Sequence, residues 1–119
     1  MQQNHYYLKT HCMRSTNTNI YVYSMYESIV LDNIAIAGIT NFGIEVRNKS
    51  ASGTVTDVSV YGSPDSVEYF PIQNNLFNAT IGPGEFKHCE LVVVTGFLRV
   101  SVQTDQDINI DVYLHGNIS

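Results

Sequence analysis

Charged residues are scarce in this sequence, and basic residues are the scarcest of them. Charged side chains make up 14% of the chain, with 6 Lys and Arg against 11 Asp and Glu, which gives a net charge of −5. Because nucleic-acid affinity comes largely from clustered Lys and Arg, this balance argues against a nucleic-acid partner. The polar surface must come mainly from Asn, Thr, Ser and Gln. Such surfaces are common on extracellular β-proteins and on proteins that pack against copies of themselves.

Long apolar runs are also missing. No run approaches the roughly 20 apolar residues of a membrane span, so no membrane span is expected. Residues 1–10 are polar and contain no apolar stretch of the about 7–15 residues found in a secretory signal. We therefore expect a chain without a classical signal peptide, which is either made in the cytosol or already mature.

Motifs of catalysis and of cofactor binding are absent as well. There is no G-x-S-x-G nucleophile elbow, and the glutamates are scattered among predicted strands and turns. We therefore expect no enzymatic activity and no cofactor.

Three aspartates form a candidate calcium site. Asp105 and Asp107, with Asp111 nearby, could bind calcium from a loop. This short pattern lacks the spacing of an EF-hand, so an ordinary hairpin turn is the favoured interpretation.

Helical periodicity is missing too, and β-strand periodicity takes its place. No segment keeps a 3.6-residue apolar period over a dozen residues, whereas residues 97–103 and 108–115 alternate apolar and polar side chains. Turn sequences recur along the chain, as at 48–53 and 82–84. Eight or nine short strands predict an all-β fold, a two-sheet antiparallel sandwich in which an eight-stranded jelly roll is favoured. Periodicity does not encode strand order, so an immunoglobulin-like order stays open.

The N-terminal residues show no sustained period of either kind. Residues 1–19 mix Gln, Asn, His, Tyr, Lys and Thr, and residues 15–19 have the composition of a turn or linker. We therefore predict an extended N-terminal arm over residues 1–19 and a β-sandwich domain over residues 20–119. A merely frayed terminus is the alternative.

The sequence holds 2 cysteines, Cys12 in the predicted arm and Cys89 in a predicted strand. Each follows a histidine, but neighbouring strand residues point to opposite faces, so His88 and Cys89 could not easily share a zinc ion and no metal site is expected. Two free thiols, one internal bridge and a bridge between copies remain open. If the arm reaches a neighbouring copy, Cys12 could join subunits covalently. We therefore treat Cys12 and Cys89 as candidates for an intersubunit disulfide.

Tryptophan is absent, so an aromatic platform for sugar would have to consist of tyrosines. Tyrosine on the outer face of a strand more often packs against a cross-strand neighbour, and that is the favoured interpretation here. The candidates for a platform are Tyr21, Tyr23, Tyr61, Tyr69 and Tyr113.

Four runs in the second half of the chain carry a resemblance to a known family. They are VSVYGSPD at 58–65, TIGPG at 80–84, FLRVSV at 97–102 and IDVYL at 110–114. In this order they resemble the small jelly-roll domains of Gram-positive spore and cell surfaces and the subunits of bacillus endospore appendages. The resemblance implies a jelly-roll body, an N-terminal connector arm carrying cysteines, and fibres joined by intersubunit disulfides and strand pairing. Such connectors carry paired cysteines, whereas here His11 stands beside Cys12.

These features favour a self-assembling structural subunit of an extracellular or spore-surface fibre, resembling a pilus. Its partners would be copies of itself in a helical homopolymer, joined by strand pairing and exchange of the N-terminal arm. The alternative is a monomeric surface binding module with a carbohydrate ligand.

Overall fold

The computed structural model describes residues 13–36 and 38–117, with Met13 and Asn117 described by their backbone alone. These residues form eight β-strands, and they contain no helix that is long and apolar enough to cross a membrane. The strands are β1 (Met13–Val22), β2 (Ser28–Ala35), β3 (Asn41–Asn48), β4 (Val55–Ser63), β5 (Phe70–Gln73), β6 (Phe86–Val92), β7 (Phe97–Thr104) and β8 (Ile108–Asn117).

The strands form two four-stranded sheets whose neighbouring strands are all antiparallel. The first sheet has the order β1-β8-β3-β6 and the second the order β2-β7-β4-β5. Each of the strands β1 to β3 therefore lies in the opposite sheet from the strand that follows it. This interleaved order is that of a jelly roll, so the predicted two-sheet sandwich is confirmed and the immunoglobulin-like order is ruled out.

The core lies between the sheets and is built by alternation along the central strands. In β8 the residues Ile108, Ile110, Val112 and Leu114 are all buried, as the period-2 pattern predicts. Their counterparts in β7 are buried in the same way, and β7 and β4 pair at the centre of the second sheet. The two strands with the clearest alternation in the sequence are thus central strands.

The N-terminal boundary of the sandwich differs from the prediction. Strand β1 begins at Met13 and pairs with β8, so residues 13–19 belong to the sheet and not to an arm. The sequence pattern missed this strand because β1 lies at an edge, where polar side chains replace apolar ones. Asn17, for example, stands opposite Val112 and donates its Nδ2–H to the carbonyl oxygen of Val30 at 3.0 Å, which links the two sheets. The remainder of the predicted arm, residues 1–12, lies outside the described residues.

Candidate functional site

The sandwich has four edge strands, and three of them carry irregularities that hinder pairing with another chain. The β1 ladder shifts register between Asn17 and Ile20, and the β2 ladder shifts twice. Strand β5 has 4 residues and contains Pro71, which lacks an N–H donor. The β6 ladder, in contrast, runs without a shift through every position of its 7 residues. Strand β6 is therefore the regular, accessible edge of the described sandwich.

The free hydrogen-bonding groups of β6 can be identified from the ends of its ladder. The Val93 N–H donates to the Thr40 oxygen at 2.8 Å, and the Asn48 N–H donates to the Glu85 oxygen at 2.9 Å. Because bonded pairs alternate along an antiparallel ladder, odd-numbered β6 residues direct their main-chain groups toward β3. The even-numbered residues direct theirs away from the sheet. These residues are Phe86, His88, Glu90 and Val92.

The side chains of β6 also divide into two sets. The even-numbered ones are exposed on the outer face, whereas the odd-numbered ones lie opposite buried β3 residues and are half-buried. Lys87 belongs to the second set and stands opposite Val46. An inward-pointing lysine at an edge hinders indiscriminate pairing. A strand added to β6 must therefore offer polar groups near this ammonium.

Cys89 lies in the middle of this edge strand, opposite Ile44, and is half-buried. Burial raises the pKa of the Cys89 thiol, and the neighbouring Glu90 carboxylate raises it further. Since the thiolate is the reactive form, Cys89 is a slow nucleophile at neutral pH and becomes more reactive as the pH rises. Its sulfur forms no disulfide with another described residue. The other disulfide candidate, Cys12, lies outside the described residues.

The five tyrosines considered for a sugar platform do not all lie together. Tyr61 and Tyr69 are half-buried on the outer face of the second sheet, and Tyr113 lies on the first sheet. Tyr21 and Tyr23 do meet, with ring centroids 5.0 Å apart. They form an exposed cluster with Tyr26, whose ring stacks on that of Tyr23 at 6.1 Å. Tyr26, which was not among the predicted platform residues, lies in the turn after β1.

A polar network occupies the outer face of the second sheet. The Glu27 carboxylate accepts hydrogen bonds from the hydroxyl of Tyr61, at 2.8 Å, and from that of the buried Ser101. The bond to Glu27, followed by burial, raises the pKa of Tyr61. Beside it the Arg99 guanidinium stacks 3.9 Å above the ring centre of Tyr69. The network satisfies a buried hydroxyl and ties the residue before β2 to β7 and β4.

The acidic residues near the β7–β8 turn are spread apart. Each uses one carboxylate oxygen to accept a hydrogen bond from a main-chain N–H of another segment, which favours the turn over a calcium site. Within residues 13–36 and 38–117, no group of three or more His, Cys, Asp and Glu side chains is placed to hold a metal ion. The bonds join Asp105 to Thr54, Asp107 to Ser24 and Asp111 to Asn19.

Neither a protein-family model nor a curated protein sequence matches this chain at a significant level. Solved structures do share its fold. The chain is similar to the PBSX exported protein XepA, with a TM-score of 0.66 and 10% identity over 90% of this chain. It spans 37% of the length of the XepA chain.

Two further structures match over nearly their whole length. One is the subunit of the Bacillus endospore appendages, which form disulfide-linked pili; the TM-score is 0.51 and the identity 9%, over 91% of this chain and 89% of that one. The other is the SPBc2 prophage-derived protein YomS, with a TM-score of 0.50 and 10% identity over 88% of this chain and 93% of that one. The resemblance drawn from the sequence is thus confirmed as a shared fold.

Proposed function

We propose that this chain is a non-catalytic, self-assembling structural subunit of an extracellular or spore-surface fibre. The observation that carries the proposal is the regular open edge of β6, which presents main-chain groups from four exposed residues. A strand added there gains main-chain hydrogen bonds and continues the first sheet. The fold shared with the subunit of a disulfide-linked pilus supports this proposal.

The donor strand in this proposal is residues 1–12 of another copy. Pairing along the 7 residues of β6 needs about 23 Å of extended chain, and 12 residues span up to about 40 Å. The segment is polar and contains Gln, Asn and Thr, which suits an edge that carries the inward Lys87. It also contains Cys12, which strand pairing would bring to the strand that holds Cys89.

The positions of donor and acceptor favour an open polymer over a closed dimer. The donor segment leaves from Met13 at the start of β1, and β1 and β6 are opposite edges of the same sheet. Those edges are about 14 Å apart, which is three strand spacings. Because the two contacting surfaces are different, the contact is head-to-tail and can repeat without closing. Such a contact generates a fibre.

A disulfide between Cys12 and Cys89 of adjacent copies would make the fibre resistant to dissociation. The two thiols lose two protons and two electrons to an external oxidant, such as a low-molecular-weight disulfide, as the S–S bond forms. Attack proceeds through a thiolate, so the raised pKa of Cys89 makes cross-linking slow at neutral pH and faster as the pH rises.

Electron microscopy of the purified chain, paired with SDS gels with and without reductant, tests this proposal. Fibres should be visible, and the oxidised sample should give a ladder of bands that collapses to the monomer on reduction. Cys12→Ser and Cys89→Ser should each abolish the ladder and leave fibres that dissociate in SDS, because strand pairing remains. A chain that stays monomeric at high concentration under oxidising conditions would contradict the proposal.

The exposed cluster of Tyr21, Tyr23 and Tyr26 favours a second candidate function, a monomeric surface module that binds carbohydrate. Exposed tyrosine rings offer apolar faces with polar hydroxyl tips, against which a sugar ring can pack. A glycan array should then show saturable binding that Tyr23→Ala weakens by about tenfold or more, since one lost stacking contact is worth about 1.4 kcal/mol or more. If the chain binds no glycan on the array, the carbohydrate-binding function is excluded.

A further inference from the structure

Two histidines face each other on the outer face of the first sheet. His88 lies on β6 and His115 on β8, and both strands flank β3. Their imidazole rings are nearly parallel, with an interplanar angle of 15° and centroids 5.9 Å apart. The pair therefore spans the central strand β3, at a position where Gly43 stands directly opposite His115.

The lack of a side chain at Gly43 lets both imidazole rings pack close to its backbone. A Cβ atom at residue 43 would lie 2.5 Å from Nε2 of His115 and 3.0 Å from Nε2 of His88, so it would displace at least one ring. Because both nitrogens are this close to one point, they are at most 5.5 Å apart, the sum of the two distances. We call the surface between the two rings the notch.

We propose that this notch binds one divalent transition-metal ion, of the class of Zn²⁺, through Nε2 of His88 and Nε2 of His115. Zinc–nitrogen bonds are about 2.0–2.1 Å long, so two nitrogens that share one tetrahedral zinc ion lie about 3.3 Å apart. Rotation of two exposed side chains whose nitrogens are at most 5.5 Å apart can reach that separation. Imidazole ligands select zinc, copper and nickel over calcium and magnesium. The proposal goes beyond assembly and does not depend on it.

Water can complete the coordination, because both rings are exposed on the outer face of the sheet. On the side of His115, this residue, Gly43 and Glu90 line an open cavity of about 370 Å³, which has room for water ligands. The bound ion would then tie the edge strand β6 to β8 across β3.

Calorimetric titration of the full chain with Zn²⁺ tests the proposal. The sequence has 4 histidines, so His5→Ala/His11→Ala in the same chain shows whether the other two contribute. We expect one ion per chain in the wild type and in this double variant. His88→Ala and His115→Ala should each weaken binding by at least about tenfold, since even the loss of an outer-shell partner costs that much. Calcium should bind in none of them.

Gly43→Ala provides the sharpest variant because it keeps both histidines, whereas its methyl group would displace at least one imidazole ring. It should also weaken Zn²⁺ binding at least about tenfold. In the wild type, NMR should show Zn²⁺ shifting the imidazole protons of His88 and His115 together, and the thermal midpoint should rise with metal concentration. His88 is exposed, so its variant should stay folded, which circular dichroism verifies. Zn²⁺ affinity unchanged in His88→Ala and His115→Ala, or absent from the wild type, would overturn the proposal.

Discussion

Replacing Glu90 with proline should raise the concentration needed for fibre formation at least about tenfold and leave the monomer folded. The Glu90 N–H points away from β3, so proline there breaks no bond of the β3–β6 ladder. It removes one donor from the free edge and leaves a carbonyl of the incoming strand unpaired. A lost bond and an unpaired acceptor together cost about 2–4 kcal/mol, so the critical concentration for assembly should rise at least about tenfold. Electron microscopy and sedimentation across a concentration series measure this shift.

Glu90→Ala is the matched control for the proline variant. Alanine removes the same carboxylate but keeps the main-chain N–H, so fibres should form at nearly the wild-type concentration. Both proteins are compared in a chelating buffer, so that any role of Glu90 at a metal does not enter. Fibres of normal length from Glu90→Pro would exclude β6 as the acceptor edge. Fibres lost equally in both variants would instead indicate a contact made by the Glu90 side chain.

The sequence predicts those parts of the fold in which a strand is buried on one face along its whole length. Strands β7 and β8 are central, and their alternation shows both their type and their inward residues. Strand β1 lacks this alternation of apolar and polar residues because it is an edge strand. Its position opposite Val112 is occupied by Asn17, and a hydrogen bond to Val30 closes the gap between the sheets there. Hydropathy alone cannot distinguish such a strand from a linker.

The candidate sites depend on register, which is a non-local property. Placing Cys89 in a strand follows from the local pattern, but its place on an open edge follows from the strand order β1-β8-β3-β6. The meeting of His88 and His115 requires two ladders to align on either side of Gly43. A histidine in each strand and a glycine between them give no signal in a single sequence, because the three positions lie far apart along the chain.

Replacing Asn48 with alanine should destabilise the domain by about 3 kcal/mol. Asn48 is 2% exposed and ends β3. Its Nδ2 group donates to the carbonyl oxygens of Gly53, at 2.9 Å, and Ile81, at 3.2 Å, and its Oδ1 accepts from the Ser50 N–H at 3.0 Å. Alanine removes all three bonds at once and leaves a small cavity. The midpoint of thermal unfolding should fall by about 10–15 °C.

Asn109→Ala is the appropriate comparison because Asn109 is exposed on the neighbouring strand β8. Such a surface change should alter stability by about 0.5 kcal/mol or less. The Asn48-Lys49-Ser50 triplet has the form of a glycosylation acceptor, yet the amide of Asn48 is fully engaged inside the fold. If Asn48→Ala unfolded within about 1 kcal/mol of the wild type, the amide would not be holding the turn, because three lost bonds exceed that value. The large expected difference between the two asparagines follows from burial and satisfied donors, and both variants can be compared by calorimetry under non-assembling conditions.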